Sequence, residues 1–220
     1  MRVLVLGAAI SGRAAARLAL AHGHDVVVYD RRADAVVAMG DEVEVMTGEW
    51  QPTALSSIDH VVTSPGFPEH VGPIPDVLSA GIPLVSEMEY AIAHMPSRYA
   101  AVTGTNGKTT VTSAAADMLV NSGVAAIAAG NIGTALCGIA LDPPPVVVIE
   151  ASSFQLRFID EFHPEAAALL NIAPDHLDWH QDFGEYVAAK QRIFENQTGN
   201  DILVFDADDA GATAAVRGAA

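Results

Sequence analysis

The stretch Thr103-Gly104-Thr105-Asn106-Gly107-Lys108-Thr109-Thr110 lies between an apolar run typical of a strand and an alanine-rich run typical of a helix. In such a loop backbone amides wrap a phosphate, the lysine pairs with β- and γ-phosphate oxygens, and the following hydroxyl can ligate Mg²⁺. The usual loop has glycine five residues before the glycine–lysine pair. Here Val102 holds that position, so the loop is a shorter variant. We predict a nucleotide triphosphate site formed by Gly104, Thr105, Asn106, Gly107, Lys108, Thr109 and Thr110.

Short β-rich runs alternate with helical runs on both sides of this loop. Strands are predicted at Val3–Leu6, Asp25–Tyr29, Glu42–Met46, His60–Thr63, Pro83–Val85, Tyr99–Val102, Ala125–Ala129, Val146–Ile149, Ala166–Leu170 and Ile202–Phe205. Helices are predicted at Ser11–Ala21, Glu87–His94, Thr109–Asn121, Ala135–Leu141, Tyr186–Glu195 and Ala207–Arg217, and the prolines at 73 and 75 indicate a loop. The alternation predicts an α/β fold with parallel sheets and right-handed crossovers.

The break at Met95-Pro96-Ser97 predicts a domain boundary. Residues 1–95 are expected to form a Rossmann-like parallel-sheet domain. Residues 96–220 are expected to form a phosphate-loop ATPase-like α/β domain. No strand follows the last predicted helix, so we expect the second sheet to be incomplete.

The composition narrows the class of partners. The formal net charge of −16 disfavours nucleic acid and anionic membranes, and no stretch approaches the roughly 20 apolar residues of a membrane span. Cys137 is the single cysteine, which indicates a reducing compartment and an inert packing thiol. We therefore expect a soluble, cytoplasmic protein, with no prediction of oligomeric state.

A second glycine-rich turn, Gly7 to Gly12, follows the first strand and opens the first helix. The strict dinucleotide pattern has glycine where this chain has Ala9, while Asp30 ends the second strand and Arg31-Arg32 follow it. These residues leave three interpretations open. They are an NAD(P) site, a site for another nucleotide, and a structural turn.

Polar residues after two later strands point to a metal site. Glu150 directly follows an apolar strand, and a carboxylate there suits the metal of a phosphoryl-transfer site. His176 is expected near this site. The pair of His176 with His180 lacks the glutamate and cysteines of a zinc motif, and His180 is expected to be exposed. Lys190 has no special role by its setting alone.

Five motifs together resemble the Mur ligase family in their order and spacing. They are Thr103–Thr110, Gly130-Asn131-Ile132-Gly133, Glu150-Ala151-Ser152-Ser153-Phe154-Gln155-Leu156, Asp175-His176-Leu177-Asp178 and the helix carrying Lys190. The Ser-Ser-Phe-Gln-Leu segment and Ser64-Pro65-Gly66 are similar to the family member that adds D-glutamate. The resemblance implies ATP-dependent ligation of D-glutamate to UDP-N-acetylmuramoyl-L-alanine through an acyl phosphate, in cell-wall peptidoglycan synthesis.

The resemblance also implies roles for individual residues. The UDP end of the substrate would contact Ile10, Ser11, Asp30, Arg32, Ser64, Pro65 and Gly66, and the muramoyl-alanine part would contact Asn131, Ser152 and Gln155. Lys108 would hold the β- and γ-phosphates. Thr109 and Glu150 would ligate one Mg²⁺, and His176 with Lys190, the latter as a carbamate, would serve a second one.

The family has a C-terminal domain that binds D-glutamate, and the resemblance implies that it is absent here. We therefore expect these 220 residues alone to be catalytically inactive. Alternatives are a folate polyglutamate-type amide ligase, an NADP-dependent oxidoreductase and a non-catalytic nucleotide-binding protein.

Overall fold

A computed structural model describes residues 1–36, 43–70 and 72–217. The contacts divide the chain into two compact units. The first comprises Met1–His94 with Ala135–Leu141, and the second comprises Met95–Thr134 with Asp142–Ala220. Among the described residues, no helix is long and apolar enough to cross a membrane.

The first unit is built on a five-stranded parallel sheet. Its strands are β1 (Arg2–Leu6), β2 (Asp25–Asp30), β3 (Glu44–Thr47), β4 (His60–Thr63) and β5 (Leu84–Ser86), in the order β3-β2-β1-β4-β5. Its helices are α1 (Ile10–Ala21), α2 (Pro73–Ser79) and α3 (Glu87–Ile92). The central strand β1 is buried from Val3 to Leu6, which explains its continuous apolar run.

The second unit has its own five-stranded parallel sheet. Its strands are β6 (Arg98–Thr103), β7 (Ala126–Gly130), β8 (Val146–Glu150), β9 (Ala166–Leu169) and β10 (Ile202–Phe205), in the order β10-β9-β6-β8-β7. Helix α4 (Lys108–Asn121) follows β6, and α5 (Leu136–Ile139) lies in the chain between β7 and β8. Helices α6 (Ser153–Arg157), α7 (Phe183–Gln191) and α8 (Ala210–Arg217) complete the chain. Because β6 is central, the carboxyl ends of β8 and β9 flank the end of β6.

The prediction of an α/β fold with parallel sheets is confirmed, while three local predictions need correction. The prolines at 73 and 75 do not mark a loop, because Pro73 occupies the first turn of α2, where a missing N–H has no cost. Helix α6 was not predicted, since its five residues are too few for a periodic pattern. The predicted strand at 42–46 is observed at Glu44–Thr47, and residue 42 lies outside the described residues.

Helix α5 packs within the first unit, although the sequence places it among the elements of the second. It lies against α1 and α3, and Leu136 and Cys137 are fully buried. The apolar face of this short segment is therefore covered by helices that precede it by more than forty residues. The chain passes from the second unit into the first at Ala135 and returns at Asp142.

Close packing of α1 against the turn after β1 depends on Gly12. An added Cβ at Gly12 would lie 1.8 Å from the carbonyl oxygen of Gly7, a distance at which the backbone has to move. Gly12 thus lets the first turn of α1 approach the end of β1.

Replacement of this glycine tests the packing. Gly12→Ala should lower the free energy of unfolding by roughly 2 kcal/mol or more, because the clash is with backbone and cannot be relieved by a rotamer change. Urea denaturation measures the change. Gly66→Ala is the control, since nothing lies within 4 Å of its added Cβ, and it should change stability by less than about 0.5 kcal/mol. Equal losses in the two variants would contradict the packing argument.

Candidate functional site

The phosphate loop between β6 and α4 is held by residues that follow β9. The backbone N–H of Thr105 donates to the carbonyl oxygen of Asn171 at 3.0 Å, and the N–H of Asn106 donates to the Asn171 side-chain oxygen at 2.8 Å. The Asn171 amide donates in return to the carbonyl oxygen of Asn106. The Thr105 hydroxyl also accepts from the N–H of Ala173 and contacts the Tyr186 hydroxyl at 2.9 Å. These bonds give the loop a fixed shape.

Two lysine side chains converge on one carbonyl group of this loop. Lys108 Nζ and Lys190 Nζ donate to the carbonyl oxygen of Gly104 at 3.0 and 2.9 Å. Lys190 is only 2% exposed, and it lies over the Tyr186 ring. Burial, with a contribution from the Lys108 charge, lowers the pKa of Lys190 to about 7. Lys190, whose sequence setting alone indicated no special role, is therefore a buried part of the phosphate-loop site.

Glu150 lies beside the start of α4 at the end of β8. One carboxylate oxygen accepts a hydrogen bond from the Thr109 hydroxyl at 2.7 Å, and the other accepts from the Asn131 amide at 2.8 Å. The residue is 2% exposed. A carboxylate and a hydroxyl are hard oxygen ligands of the kind that Mg²⁺ prefers, and they meet next to the loop that would hold phosphate. Thr109 and Glu150 therefore fit an ion of this type.

Gly130 holds Asn131 in register with Glu150. Gly130 has a φ of 104°, in the left-handed region, and an added Cβ would lie 2.5 Å from the Glu150 carbonyl oxygen. The N–H of Asn131 donates to that same carbonyl at 2.9 Å. Only glycine permits this approach, which fixes the backbone from which the Asn131 amide reaches the carboxylate.

His176 lies in the turn that follows β9. Its φ of 51° is the left-handed conformation, and its N–H donates to the Asp175 carboxylate at 2.9 Å. The imidazole is 44% exposed, and its ring centroid lies 4.8 Å from that of Phe154. A partly exposed imidazole in a constrained backbone is available to a ligand, and the role of His176 at a metal stays a prediction.

The expectation that His180 is exposed is wrong. Its side chain is 2% exposed, packs against Phe154, Trp179 and Tyr186, and has Nε2 2.9 Å from the Ser153 hydroxyl. The aromatic residues around it cover the imidazole. The i, i+4 spacing of His176 and His180 did not predict this burial, because such spacing indicates a shared face only in a helix and this segment is a turn.

Ser152 and Gln155 cap the first turn of α6. The Ser152 N–H and hydroxyl both donate to the Gln155 side-chain oxygen, and the Ser152 hydroxyl accepts from the Gln155 N–H. Both residues are buried. The structure thus shows a capping box at these positions. Their contact with a substrate stays a prediction.

The residues predicted for the UDP end of the substrate line a single cavity of the first unit. The cavity has a volume of about 1140 Å³. All seven predicted residues line it, namely Ile10, Ser11, Asp30, Arg32, Ser64, Pro65 and Gly66. It also includes aromatic residues that the sequence did not single out: Tyr29, Trp50 and Phe67. The size suits a nucleotide-sized ligand.

Two features of this cavity suit an anionic ligand. The N-terminus of α1 opens onto it without an acidic residue in its first turn, so its amides are available to a phosphate. The Ser64 hydroxyl is buried, and it makes no hydrogen bond to any residue in the described part of the chain. Asp30 shapes the turn, because its carboxylate accepts from the N–H groups of Ala8 and Arg32.

Family models cover both units. The Mur ligase middle domain matches residues 102–219, and the Mur ligase MurD-like N-terminal domain matches residues 1–86. The chain belongs to the Mur ligase family. The first match contains the phosphate loop with Glu150, and the second contains the cavity of the first unit.

Two curated relatives of this Mur ligase chain carry the same name. A UDP-N-acetylmuramoylalanine–D-glutamate ligase from Desulfosudis oleivorans is 43% identical over 216 residues, covering 94% of this chain and 47% of that protein. One from Koribacter versatilis is 40% identical, with 94% and 48% covered. The chain spans about half the length of the curated relatives it matches.

Solved Mur ligases share its fold. The UDP-N-acetylmuramate:L-alanyl-γ-D-glutamyl-meso-diaminopimelate ligase from Neisseria meningitides has a TM-score of 0.59 at 18% identity, covering 99% of this chain and 74% of that one. The UDP-N-acetylmuramate–alanine ligase from Thermotoga maritima has a TM-score of 0.56 at 20% identity, covering 98% and 51%.

The buried imidazole of the second unit gives a pH prediction. Burial lowers the pKa of His180 to about 4, from an ordinary value of 6.5. The unfolded state therefore binds more protons than the folded state between pH 6.5 and 4. The contribution of His180 to stability falls as the pH falls through that window, by at most about 1.4 kcal/mol per pH unit.

A titration of the imidazole signals by NMR checks this prediction. In the folded chain His180 should show no protonation above about pH 5, and in urea it should titrate near its ordinary value. A folded-state midpoint near 6.5 would show that the imidazole is solvated and would contradict the buried placement.

Proposed function

We propose that the full-length protein ligates D-glutamate to UDP-N-acetylmuramoyl-L-alanine at the expense of ATP, in peptidoglycan synthesis. The observation that carries the proposal is the bond between Thr109 of the phosphate loop and the buried Glu150 carboxylate. It puts a metal-type oxygen pair where the phosphates of ATP would lie. The shared name of the relatives at about 40% identity supports the choice of substrates.

The reaction would proceed in two steps. The alanine carboxylate of the muramoyl substrate attacks the γ-phosphorus of ATP, giving an acyl phosphate and ADP. The amine of D-glutamate then attacks the acyl carbon through a tetrahedral intermediate, loses a proton and expels phosphate. Both steps bring anions together, so positioning and neutralisation of charge are the main contributions that the protein can make.

The residues around the phosphate loop would supply those contributions. Lys108, now folded onto the carbonyl groups of Gly104 and Thr105, would turn toward the β- and γ-phosphates. Thr109 and Glu150 would hold Mg²⁺, which when bound offsets phosphate charge. Asn131 holds the second oxygen of Glu150, and it would also contact the muramoyl-alanine part.

Lys190 and His176 are proposed to serve a second Mg²⁺. The Lys190 amine is buried against the carbonyl group of Gly104, which Lys108 also contacts. A positive charge on Lys190 beside that of Lys108 is unfavourable in a buried position. Reaction of the neutral amine with CO₂ would release a proton and leave a carbamate, which changes the side chain from a cation to an anion. A pKa of about 7, due to burial, supports a neutral amine at physiological pH.

The cavity of the first unit is proposed to bind the UDP end of the substrate. The uncapped N-terminus of α1 and the Ser64 hydroxyl, which has no hydrogen-bond partner among the described residues, support a diphosphate ligand there. Arg32 also lines the cavity and brings positive charge to a chain whose net charge is −16. Ala9 at the strict glycine position is compatible with a uridine diphosphate, whose approach does not require the dinucleotide spacing.

Calorimetric titration tests this assignment on the chain itself. UDP-N-acetylmuramoyl-L-alanine should bind saturably, and NADPH should not. Arg32→Ala should weaken binding about tenfold, because it removes a cation from the cavity wall. Arg17→Ala is the matched control, since Arg17 is exposed on α1 and does not line the cavity, and its affinity should equal that of the unchanged chain.

Three outcomes would contradict the assignment of the first unit. They are the absence of binding by the muramoyl nucleotide, binding of NADPH in its place, and equal losses of affinity in the two arginine variants. The last result would mean that long-range charge, rather than the cavity, attracts the nucleotide.

A further inference from the structure

Three aromatic side chains line the cavity of the first unit, and none of them belongs to a sequence motif that predicted a role. They are Tyr29 in β2, Trp50 after β3 and Phe67 after β4. The ring centroids of Tyr29 and Trp50 lie 5.0 Å apart at an interplanar angle of 66°, and those of Tyr29 and Phe67 lie 6.2 Å apart at 54°. The three rings therefore form an aromatic row, in which Tyr29 lies between Phe67 and Trp50.

One end of the aromatic row lies at the glycine turn that follows β1. An added Cβ at Gly7 would lie 3.3 Å from Cε2 of Phe67, so the Phe67 ring packs on this turn. The turn leads into the N-terminus of α1, the part of the cavity that suits phosphate. Trp50 is at the other end of the row, with Tyr29 between it and the ring beside the turn.

Hydrogen bonds hold the Trp50 indole by its edge. The indole Nε1–H donates to the Asp76 carboxylate of α2 at 2.8 Å, and the Tyr29 hydroxyl donates to the carbonyl oxygen of Gly48 at 3.0 Å. Tyr29 is only 4% exposed, so it supports the indole, whereas Trp50 is partly exposed in the cavity wall. Because the polar atom of the indole is already bonded at the edge of the ring, the exposed part of Trp50 offers an apolar contact.

The two ends of the row match the two ends of a nucleoside diphosphate. The diphosphate is anionic and suits the amides at the N-terminus of α1. The base is flat and neutral, and nucleobases stack on aromatic side chains in many proteins. A base needs no cation, so an apolar ring can bind it in a chain whose net charge is −16.

We propose that the uracil ring of the substrate stacks on Trp50, and that Asp76 is a positioning residue that sets the orientation of the indole. This inference rests on the proposed binding of a uridine diphosphate in the cavity, and it adds the residue that recognises the base. The diphosphate lies at the N-terminus of α1, beside Phe67, and the base lies at the Trp50 end of the row. Since every base has a face that can stack, Trp50 increases affinity for a base without selecting uracil among bases.

Calorimetric titration of the chain with UDP and with ribose 5-diphosphate, which lacks the base, isolates the contact with Trp50. The unchanged chain should bind UDP about tenfold or more tightly than ribose 5-diphosphate. Trp50→Ala should weaken UDP binding about tenfold and leave the affinity for ribose 5-diphosphate unchanged, because only the contact with the base is lost. Trp50→Phe keeps an aromatic face and should retain most of the affinity for UDP.

Fluorescence and a pair of Asp76 variants test the position of the indole. The chain has two tryptophans, so Trp179→Phe leaves Trp50 as the only indole that emits. In this background UDP should quench the emission with the Kd found by calorimetry, and ribose 5-diphosphate should not. Asp76→Ala should weaken UDP binding roughly threefold, whereas Asp76→Asn, which also removes the charge but keeps an oxygen that accepts the indole N–H, should preserve it.

Two results in Trp50→Ala would overturn the stacking contact while leaving the UDP site in place: an unchanged affinity for UDP, and equal losses of affinity for UDP and ribose 5-diphosphate. Equal affinities for UDP in the two Asp76 variants would overturn the role of Asp76. If the unchanged chain did not bind UDP at all, the proposed function of the cavity would fail as well. Should Trp50→Ala not fold, Trp50→Leu keeps an apolar side chain without an aromatic face and should show the same selective loss.

Discussion

The phosphate loop depends on hydrogen bonds that it cannot make by itself. Residues 104–107 have no regular secondary structure. The amides of Thr105 and Asn106 donate to Asn171, and the Thr105 hydroxyl accepts from the N–H of Ala173, both of which follow β9. This support exists because β9 is the neighbour of β6 in a parallel sheet, so the carboxyl ends of both strands lie at one edge. The residues that follow the neighbouring strand therefore hold the loop in a defined shape before a ligand arrives.

At this edge of the sheet, a few charged side chains lie at defined positions beside the phosphate loop. Two lysine side chains share the carbonyl group of Gly104, and a buried carboxylate at Glu150 lies at the start of α4. The chain as a whole is strongly acidic, so polyanionic ligands depend on these few cations and on helix N-termini. Because each charged group is already hydrogen-bonded to backbone or side chain, the site is ordered before it meets phosphate.

Local patterns predicted the strands, the parallel sheets and the position of Glu150, because each rests on a few consecutive residues. They did not predict contacts made between distant segments. The segment Ala135–Leu141 lies in the sequence between two strands of the second unit, and only tertiary packing shows that it belongs to the first unit. His180 is buried by aromatic side chains from α6 and α7. Such outcomes depend on which side chains meet in space.

The proposed activity depends most on Glu150 and Thr109, which would be the oxygen ligands of the metal that accompanies ATP. Crystals of the chain grown with Mn²⁺ and a non-hydrolysable ATP analogue would locate the metal by its anomalous scattering. We predict a peak about 2.0–2.3 Å from a Glu150 carboxylate oxygen and the Thr109 hydroxyl, with Asn131 still bonded to the other carboxylate oxygen. A metal bound elsewhere, with the Thr109 hydroxyl still donating to Glu150, would contradict the account.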